Sequence, residues 1–317
     1  MHRSPAAVVM ILVAAVYLFI TEGYDDGLPA QGEQGLCFPS PALWPIVRWL
    51  DAVGGIVLNG AMIALMALLN KDFNVLRSNT RLQLGLFALM ATAVPRLVVN
   101  VSSGIILALA VNVCVFLLFS CYDDPSRVRR VFLSFLILSF GATIQYSFVI
   151  FIPVLWIMTA QMRIFTLRTA LASLFGIATP WIILLGFGLV APADIHFPEV
   201  TPIFSALEED YAQYMLVVAG VTAFLLLVAI VLNLSRTIAY NARARAFNGA
   251  LTLISLVSIV AVVCDYNSLM AYLPLLNVGA AYQITQLFVN HRFDRQFIAV
   301  LAVCFIYIAF YVWRMFL

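Results

Sequence analysis

Residues 130–163 read RVFLSFLILSFGATIQYSFVIFIPVLWIMTAQMR, a run of thirty mostly apolar residues, 131–160, held between Arg130 and Arg163. A single helix through this run would place the two arginines on opposite faces of a membrane, although basic residues favour the cytoplasmic side. Two short helices that meet near Gln145 and Tyr146 return the chain to the side on which it entered. The stretch therefore predicts a hairpin of two short transmembrane helices.

The composition of the whole chain agrees with a membrane environment. Its 317 residues are 64% hydrophobic and 10% charged, with 17 Lys and Arg and 15 Asp and Glu side chains. These charges are too few to cover the surface of a soluble globular domain. We therefore expect an all-α, polytopic transmembrane bundle with membrane lipids as partners and no nucleic acid.

The distribution of basic residues predicts how the chain threads through the membrane. Fourteen of the 17 basic residues fall on the cytoplasmic side in one threading. They are Arg3, Lys71, Arg77, Arg81, Arg127, Arg129, Arg130, Arg163, Arg168, Arg236, Arg243, Arg245, Arg292 and Arg295. The threading has about eleven crossings, over 6–20, 49–69, 82–94, 97–121, two within 131–160, 167–190, 211–234, 247–264, 270–289 and 297–317. It predicts an uncleaved first helix, an N-terminus inside and a C-terminus outside.

Acidic residues provide an independent check, because the threading used basic residues alone. Eleven of the 15 acids fall on the outer side. They are Glu22, Asp25, Asp26, Glu33, Asp51, Asp194, Glu199, Glu208, Glu209, Asp210 and Asp265. No internal repeat or linker divides the chain, so we expect a single integral membrane domain over residues 1–317.

Three of the predicted hairpins, 82–121, 131–160 and 247–289, have at least one arm that is short for a membrane. A helix of about 14 residues covers roughly 21 Å, whereas the hydrocarbon slab is about 30 Å thick. The outer tips of these hairpins should therefore lie below the outer lipid surface. Irregular backbone at that depth must be surrounded by protein or by a water-filled cavity, so the tips should line a shared polar basin that opens outward.

The tips carry the candidate substrate-binding residues. Ionisable groups at membrane depth are costly, and this cost favours a functional role. The candidates are Arg96, Asn100, Gln145, Tyr146, Asp265 and Tyr266. The Arg96 guanidinium suits a phosphate or carboxylate bound through two hydrogen bonds, and the alternative is that it reaches a lipid headgroup or the carbonyls that end a helix.

Two sets of acidic residues each allow more than one role. Asp265 is a candidate base or cation ligand, or a cap for the following helix. Asp25 and Asp26 are candidate catalytic residues that would bind a divalent cation or deprotonate a hydroxyl, or they are simply solvated loop residues. His196, with Asp194 and Glu199, is too loosely spaced to predict a metal site. We expect no metal centre and no cofactor, with a divalent cation at Asp25 and Asp26 left open.

Three short segments carry a family resemblance. The segment NKDFNVLRSNTR at 70–81, the short run that ends at Pro95, and GIATP at 176–180 resemble an uncharacterised family of bacterial polytopic inner-membrane proteins with a domain of unknown function. The outline is more distantly similar to the C superfamily of integral-membrane glycosyltransferases, and this resemblance implies that Asp25 or Asp26 matches its acidic first-loop position. The chain lacks the large external domain common in that superfamily.

Two functions from different classes follow from these features. As an enzyme of the cell envelope, the protein would take a polyprenyl-phosphate-linked sugar, hold its phosphate at Arg96 and activate an acceptor hydroxyl at Asp25 or Asp26. Alternatively, it is a non-catalytic subunit that contacts other membrane proteins, or a transporter of a lipid or its headgroup. Both place the chain in the bacterial inner membrane.

Overall fold

A computed structural model describes residues 36–41, 44, 47–76, 80–191, 195, 210–237, 240–265, 268–287 and 293–316. This part of the chain forms α-helices and no β-strand, as the composition predicts. The eleven helices are α1 (Arg48–Phe73), α2 (Thr80–Thr92), α3 (Arg96–Val99), α4 (Ser103–Phe119), α5 (Val128–Ile144), α6 (Phe151–Gln161), α7 (Leu167–Gly186), α8 (Asp210–Thr237), α9 (Ala242–Cys264), α10 (Leu269–Leu287) and α11 (Phe293–Phe316). The predicted first crossing lies outside the described residues.

Among the helices that the structure describes, four are long and apolar enough to cross a membrane, which indicates a membrane protein. The spans are Trp49–Phe73 in α1, Leu167–Gly186 in α7, Tyr214–Leu234 in α8 and Ala242–Cys264 in α9. Many large apolar side chains on these helices, such as Phe175 and Phe224, are exposed, as expected for a surface in contact with lipid. The number of crossings and the sides of the termini stay predictions.

The hairpin predicted between Arg130 and Arg163 is confirmed as a break in the helix. Helix α5 ends at Ile144, Gln145 is extended, a 3₁₀ turn follows at Tyr146–Phe148, and α6 begins at Phe151. The loops at the far ends of both arms meet, because the Asp123 amide donates to the Met162 carbonyl at 3.0 Å. The chain therefore turns back as the charge pattern requires.

The return arm predicted as one run from Leu97 to Cys121 is interrupted. Helix α3 ends after one turn at Val99, and α4 begins at Ser103. Two hydrogen bonds explain the interruption, because the Val101 amide donates to Oδ1 of Asp51 at 2.7 Å and Oγ of Ser102 caps α4. The first of these joins residues far apart in sequence, so local sequence patterns do not reveal it.

Helix α10 forms the centre of the bundle. Almost all of its side chains are buried, and it packs against α2, α4, α8 and α9. Buried polar groups hold it in place: the Asn233 side-chain amide of α8 donates to the backbone and side-chain oxygens of Gln283, and the Gln283 amide donates to Thr252 of α9 at 3.0 Å. A helix buried on every side fixes the positions of the hairpins that surround it.

The connections between helices gather at two ends of the bundle. We call the end with Asp72, the 120–130 loop and Arg243 the arginine end, because these residues line one pocket. We call the opposite end the tip end, where the turns near Gln145 and Asp265 meet. This arrangement matches the predicted pairing of basic loops on one side and hairpin tips on the other.

Cysteine labelling would show which end faces the cytoplasm. Pro125→Cys and Asn241→Cys place exposed thiols at the arginine end, and Phe187→Cys places one at the other end of α7. In a variant without the native cysteines, a membrane-impermeant maleimide should label Phe187→Cys in intact cells. The other two should react only after permeabilisation, because basic loops stay inside. The reverse pattern would invert the topology.

Candidate functional site

Four polar side chains meet where two hairpin tips touch, and we call Tyr146, Asp265, Ser268 and Tyr272 the tip cluster. The Tyr146 hydroxyl donates to Oδ2 of Asp265 at 2.5 Å and also bonds Oγ of Ser268. The Tyr272 hydroxyl donates to the same carboxylate oxygen at 3.3 Å. One carboxylate oxygen therefore ties the α5–α6 tip to the α9–α10 tip.

The local sequence explains how each member arrives there. Gln145 ends α5 in an extended conformation and turns the chain so that Tyr146 points across to the next hairpin. Phe148 packs onto Gly141, where a Cβ would lie 2.1 Å from the ring, and this contact folds the turn back on α5. Ser268 and Tyr272 are four residues apart around the start of α10, a spacing that places them on one helix face.

A segment from before α1 covers the end of α5. The amides of Cys37 and Phe38 both donate to the Thr143 carbonyl, at 3.0 and 3.2 Å. Leu36 and Ser40 of the same segment are buried. The α5–α6 tip is therefore shielded by protein rather than left open.

The Asp265 carboxylate is buried without a cationic partner in the part of the chain that the structure describes. It is 2% exposed, and its Oδ1 accepts no hydrogen bond from the described residues. Within the described residues the recorded ion pair is Arg127–Asp124, at the other end of the bundle. A buried carboxylate without a counter-charge is costly, and a proton or a bound cation offsets that cost.

Other polar atoms near the tips also lack partners. Both side-chain polar atoms of Gln145 and Oγ of Ser103 are buried and form no hydrogen bond with the described residues. Each such group costs about 1–3 kcal/mol when it stays unpaired. Buried polar atoms without partners are typical of a site that a ligand, an ion or a water molecule completes.

Helix ends of both kinds meet at the tip cluster. Asp265 directly follows the C-terminus of α9, and Gln145 directly follows that of α5. The carbonyl ends of helices carry a partial negative charge, and broken helices in membrane proteins use such ends to coordinate Na⁺ or H⁺. The start of α10 lies at the same place and carries the opposite partial charge, so the preference for a cation depends on the Asp265 carboxylate.

The third tip, with Arg96 and Asn100, lies beside the α9–α10 tip. Gly104 at the start of α4 contacts the start of α10, and the Asn59 side-chain amide of α1 donates to the Leu97 carbonyl at 3.0 Å. The Arg96 side chain is partly exposed and forms no hydrogen bond or ion pair with the part of the chain that the structure describes. A guanidinium in this state is available to an anionic ligand.

The structure groups three of the predicted site residues, Gln145, Tyr146 and Asp265. Arg96 and Asn100 lie on the neighbouring tip and form no side-chain hydrogen bond to the tip cluster. The predicted Asp25, Asp26 and Tyr266 lie outside the described residues. For Asp265, no helix-capping bond is seen between the carboxylate and the described backbone of α10, because Oδ2 accepts from two tyrosines instead.

Sequence analysis missed Tyr272. Its position four residues after Ser268 is a signal that could have found it, because both side chains lie on the face of α10 that meets Asp265. Within an apolar run, however, a tyrosine is equally typical of helix packing.

The predicted basin at the tips stays a prediction. Two cavities among the described residues lie elsewhere. One is a space of about 30 Å³ between α1, α2, α4, α9 and α10, with Gln83, Asn112, Ser255 and Tyr282 among its walls. A water molecule needs about 10–15 Å³, so the space fits about two or three waters. The other is an open pocket of about 570 Å³ at the arginine end.

Comparisons of the chain with protein-family models, curated proteins and solved structures found no match. The resemblances carried by the 70–81 and 176–180 segments therefore stay predictions. What the tip cluster does has to follow from its geometry and chemistry.

Proposed function

We propose that this protein is a multi-pass transporter that moves a lipid headgroup across the bacterial inner membrane and couples this movement to a cation, H⁺ or Na⁺, at Asp265. The observation that carries the proposal is the buried Asp265 carboxylate, which joins two hairpin tips through tyrosine hydroxyls and has one oxygen that accepts no hydrogen bond from the described residues. Intramembrane carboxylates of this kind are typical of ion pathways and proton relays.

The short arms of the hairpins support a lipid substrate. Helices α2 and α6 have 13 and 11 residues, which correspond to about 20 and 17 Å of helix against a slab of about 30 Å. A helix shorter than the slab thins the bilayer beside it and brings headgroups closer to its polar end. The partly exposed Arg96 at this end would meet the headgroup phosphate.

Passage of a headgroup requires the hairpins to move. The space between α1, α2, α4, α9 and α10 fits about two or three water molecules, far less than a headgroup needs. The breaks at Gln145 and between α3 and α4 supply places where one arm of a hairpin can shift without the other. Cation binding at Asp265 would bias this movement, because the carboxylate joins two hairpins that would separate.

A second candidate is a transferase that uses a polyprenyl-phosphate-linked sugar. The specific observation that favours it is the Arg96 guanidinium at the tip end, which forms no ion pair with the described acids and would hold the phosphate. The acids that this activity needs, Asp25 and Asp26, lie outside the described residues. In this candidate, Asp265 has a packing role instead of a coupling role.

Reconstituted vesicles would test the proposed transport. We expect the purified protein to speed the crossing of headgroup-labelled phosphatidylethanolamine at least about tenfold over protein-free vesicles, measured by dithionite quenching of the label. The rate should change when Na⁺ is replaced by choline or when a proton gradient is imposed. Unchanged crossing, together with loss of surface glycans in cells carrying Arg96→Ala at normal protein level, would contradict transport and favour the transferase.

A further inference from the structure

The arginine end carries an open pocket that the proposed transport does not use. Three separate chain segments build it: the end of α1, the end of α4 with its following loop, and the start of α9. Its charged walls include Arg127, Arg130 and Arg243, and the one carboxylate that lines it is the exposed Asp72. Its volume is about 570 Å³.

Two of the arginines are held side by side by one acceptor. Arg127 donates to the Ser120 carbonyl at 2.5 Å, and Arg130 donates to the same oxygen at 3.4 Å. Two guanidinium groups that share one neutral acceptor repel each other, and a bound anion would relieve this repulsion. The shared carbonyl therefore holds two positively charged groups at the same part of the pocket wall.

A network in the 124–127 turn fixes Arg127. Asp124 accepts from Nε of Arg127 at 2.7 Å and from the Ser126 hydroxyl at 2.5 Å. The Ser126 hydrogen bonds, with Arg127 beside them, hold the pKa of Asp124 below its ordinary value. Arg127 therefore keeps its partner at neutral pH, whereas Arg130 has no carboxylate partner among the described residues.

The third arginine is positioned by aromatic rings. The Arg243 guanidinium carbon lies 5.3 Å from the Phe247 ring centre and 5.9 Å from that of Tyr122. Phe247 is stacked on Phe119 with ring centres 4.1 Å apart, and Phe73 meets both rings edge-on. These contacts hold the guanidinium beside the pocket, and its N–H groups form no hydrogen bond with the described residues, so they are available to a ligand.

We propose that this pocket is a specific binding site for a phosphate group, and that the phosphate belongs to an anionic lipid headgroup or to a soluble phosphate compound. Planar guanidinium groups match phosphate oxygens through paired hydrogen bonds. Basic pockets between transmembrane helices bind anionic headgroups, and the apolar wall formed by Phe116 and Leu117 suits the upper part of an acyl chain. The proposal is independent of transport at Asp265.

Matched arginine variants distinguish specific binding in the pocket from non-specific attraction of anions to a positively charged surface. Arg130→Gln and Arg243→Gln each remove one charge from the pocket wall. Arg129→Gln and Arg245→Gln remove the same charge from exposed positions outside the wall, one or two residues away. All four variants change the net charge equally, so non-specific binding would weaken equally in all of them.

The binding test uses the full chain in detergent, with dioleoyl phosphatidic acid and dioleoyl phosphatidylcholine as probes and native mass spectrometry as the measurement. We expect wild type to prefer phosphatidic acid. Arg130→Gln and Arg243→Gln should weaken its binding about tenfold or more, because each removes charge-assisted hydrogen bonds, and the two control variants should stay within about twofold of wild type. Size-exclusion profiles and melting temperatures show that each variant is folded.

A second arm identifies the source of the phosphate. Inorganic phosphate is added as a competitor and, without lipid, as a probe of thermal stability. Preference for phosphatidic acid with the expected variant pattern supports a lipid headgroup, and stabilisation by inorganic phosphate with the same pattern but no lipid preference supports a soluble compound. Equal losses in all four variants, or no loss in Arg130→Gln and Arg243→Gln, would overturn the site. Neither result bears on Asp265, so the two proposals fail separately.

Discussion

Asp265→Asn should reduce headgroup crossing in reconstituted vesicles to the rate of protein-free vesicles, a loss of about tenfold or more, while the protein still folds. Asparagine has the shape of aspartate, and its side-chain oxygen can still accept from Tyr146 and Tyr272. It cannot release a proton or neutralise a cation. The substitution therefore keeps the hydrogen bonds that connect the two hairpins and removes the carboxylate that would couple their movement to a cation.

The same variant has a readout that does not depend on knowing the substrate. If Asp265 binds Na⁺, wild-type protein should melt at a higher temperature in sodium chloride than in choline chloride, because a ligand of the folded state stabilises it. If it carries H⁺, a pH-sensitive dye inside the vesicles should report proton movement with the lipid. Asp265→Asn should lose whichever response wild type shows.

Two control variants sharpen this experiment. Asp123→Asn removes an equal charge from an exposed residue with φ of 57°, a conformation that asparagine tolerates. It should leave crossing unchanged. Tyr146→Phe keeps the carboxylate but removes a buried hydroxyl bonded to it, so the free energy of unfolding should fall by about 1.5–3 kcal/mol. Full crossing activity in Asp265→Asn would reject a coupling role for this carboxylate.

The charge pattern of the sequence predicts one element of the fold in detail. Arg130 and Arg163 must share a side, so the apolar run between them has to turn, and the structure breaks the helix at Gln145. The prediction of this break succeeded because it needed only the positions of the two arginines on either side of the apolar run. It also indicated that Gln145, Tyr146 and Asp265 would lie near one another, since short hairpins bring polar tips to similar depths.

The rest of the fold and of the site depends on contacts between residues far apart in the sequence, which sequence patterns do not reveal. The break between α3 and α4 depends on a hydrogen bond from Val101 to Asp51, fifty residues away, and no local pattern marks it. The arginine pocket depends on separate chain segments that meet at one end of the bundle. Arg130 and Arg243 are more than a hundred residues apart, and contacts between the ends of helices, such as the stacking of Phe119 on Phe247, make them parts of one wall.

The largest effect on stability should come from Gly104→Ala at the tip end. A Cβ built on Gly104 would lie 2.3 Å from the Met270 carbonyl oxygen and 2.9 Å from the Pro274 ring. Both neighbours belong to the central helix α10, and Met270 would meet the new atom with backbone, which cannot rotate away. We expect the free energy of unfolding to fall by about 2 kcal/mol or more, because overpacking forces backbone shifts.

Gly85→Ala in α2 is the matched control, since a Cβ there would meet nothing within 4 Å. Alanine in an open helical position should stabilise the protein by about 0.5–1 kcal/mol. Melting temperatures of both variants in the same detergent measure the difference, and the two changes should have opposite signs. An unchanged melting temperature in Gly104→Ala would mean that α4 and α10 do not approach this closely. The tip with Arg96 would then lie farther from Asp265, and a shared headgroup path along both tips would lose its geometric basis.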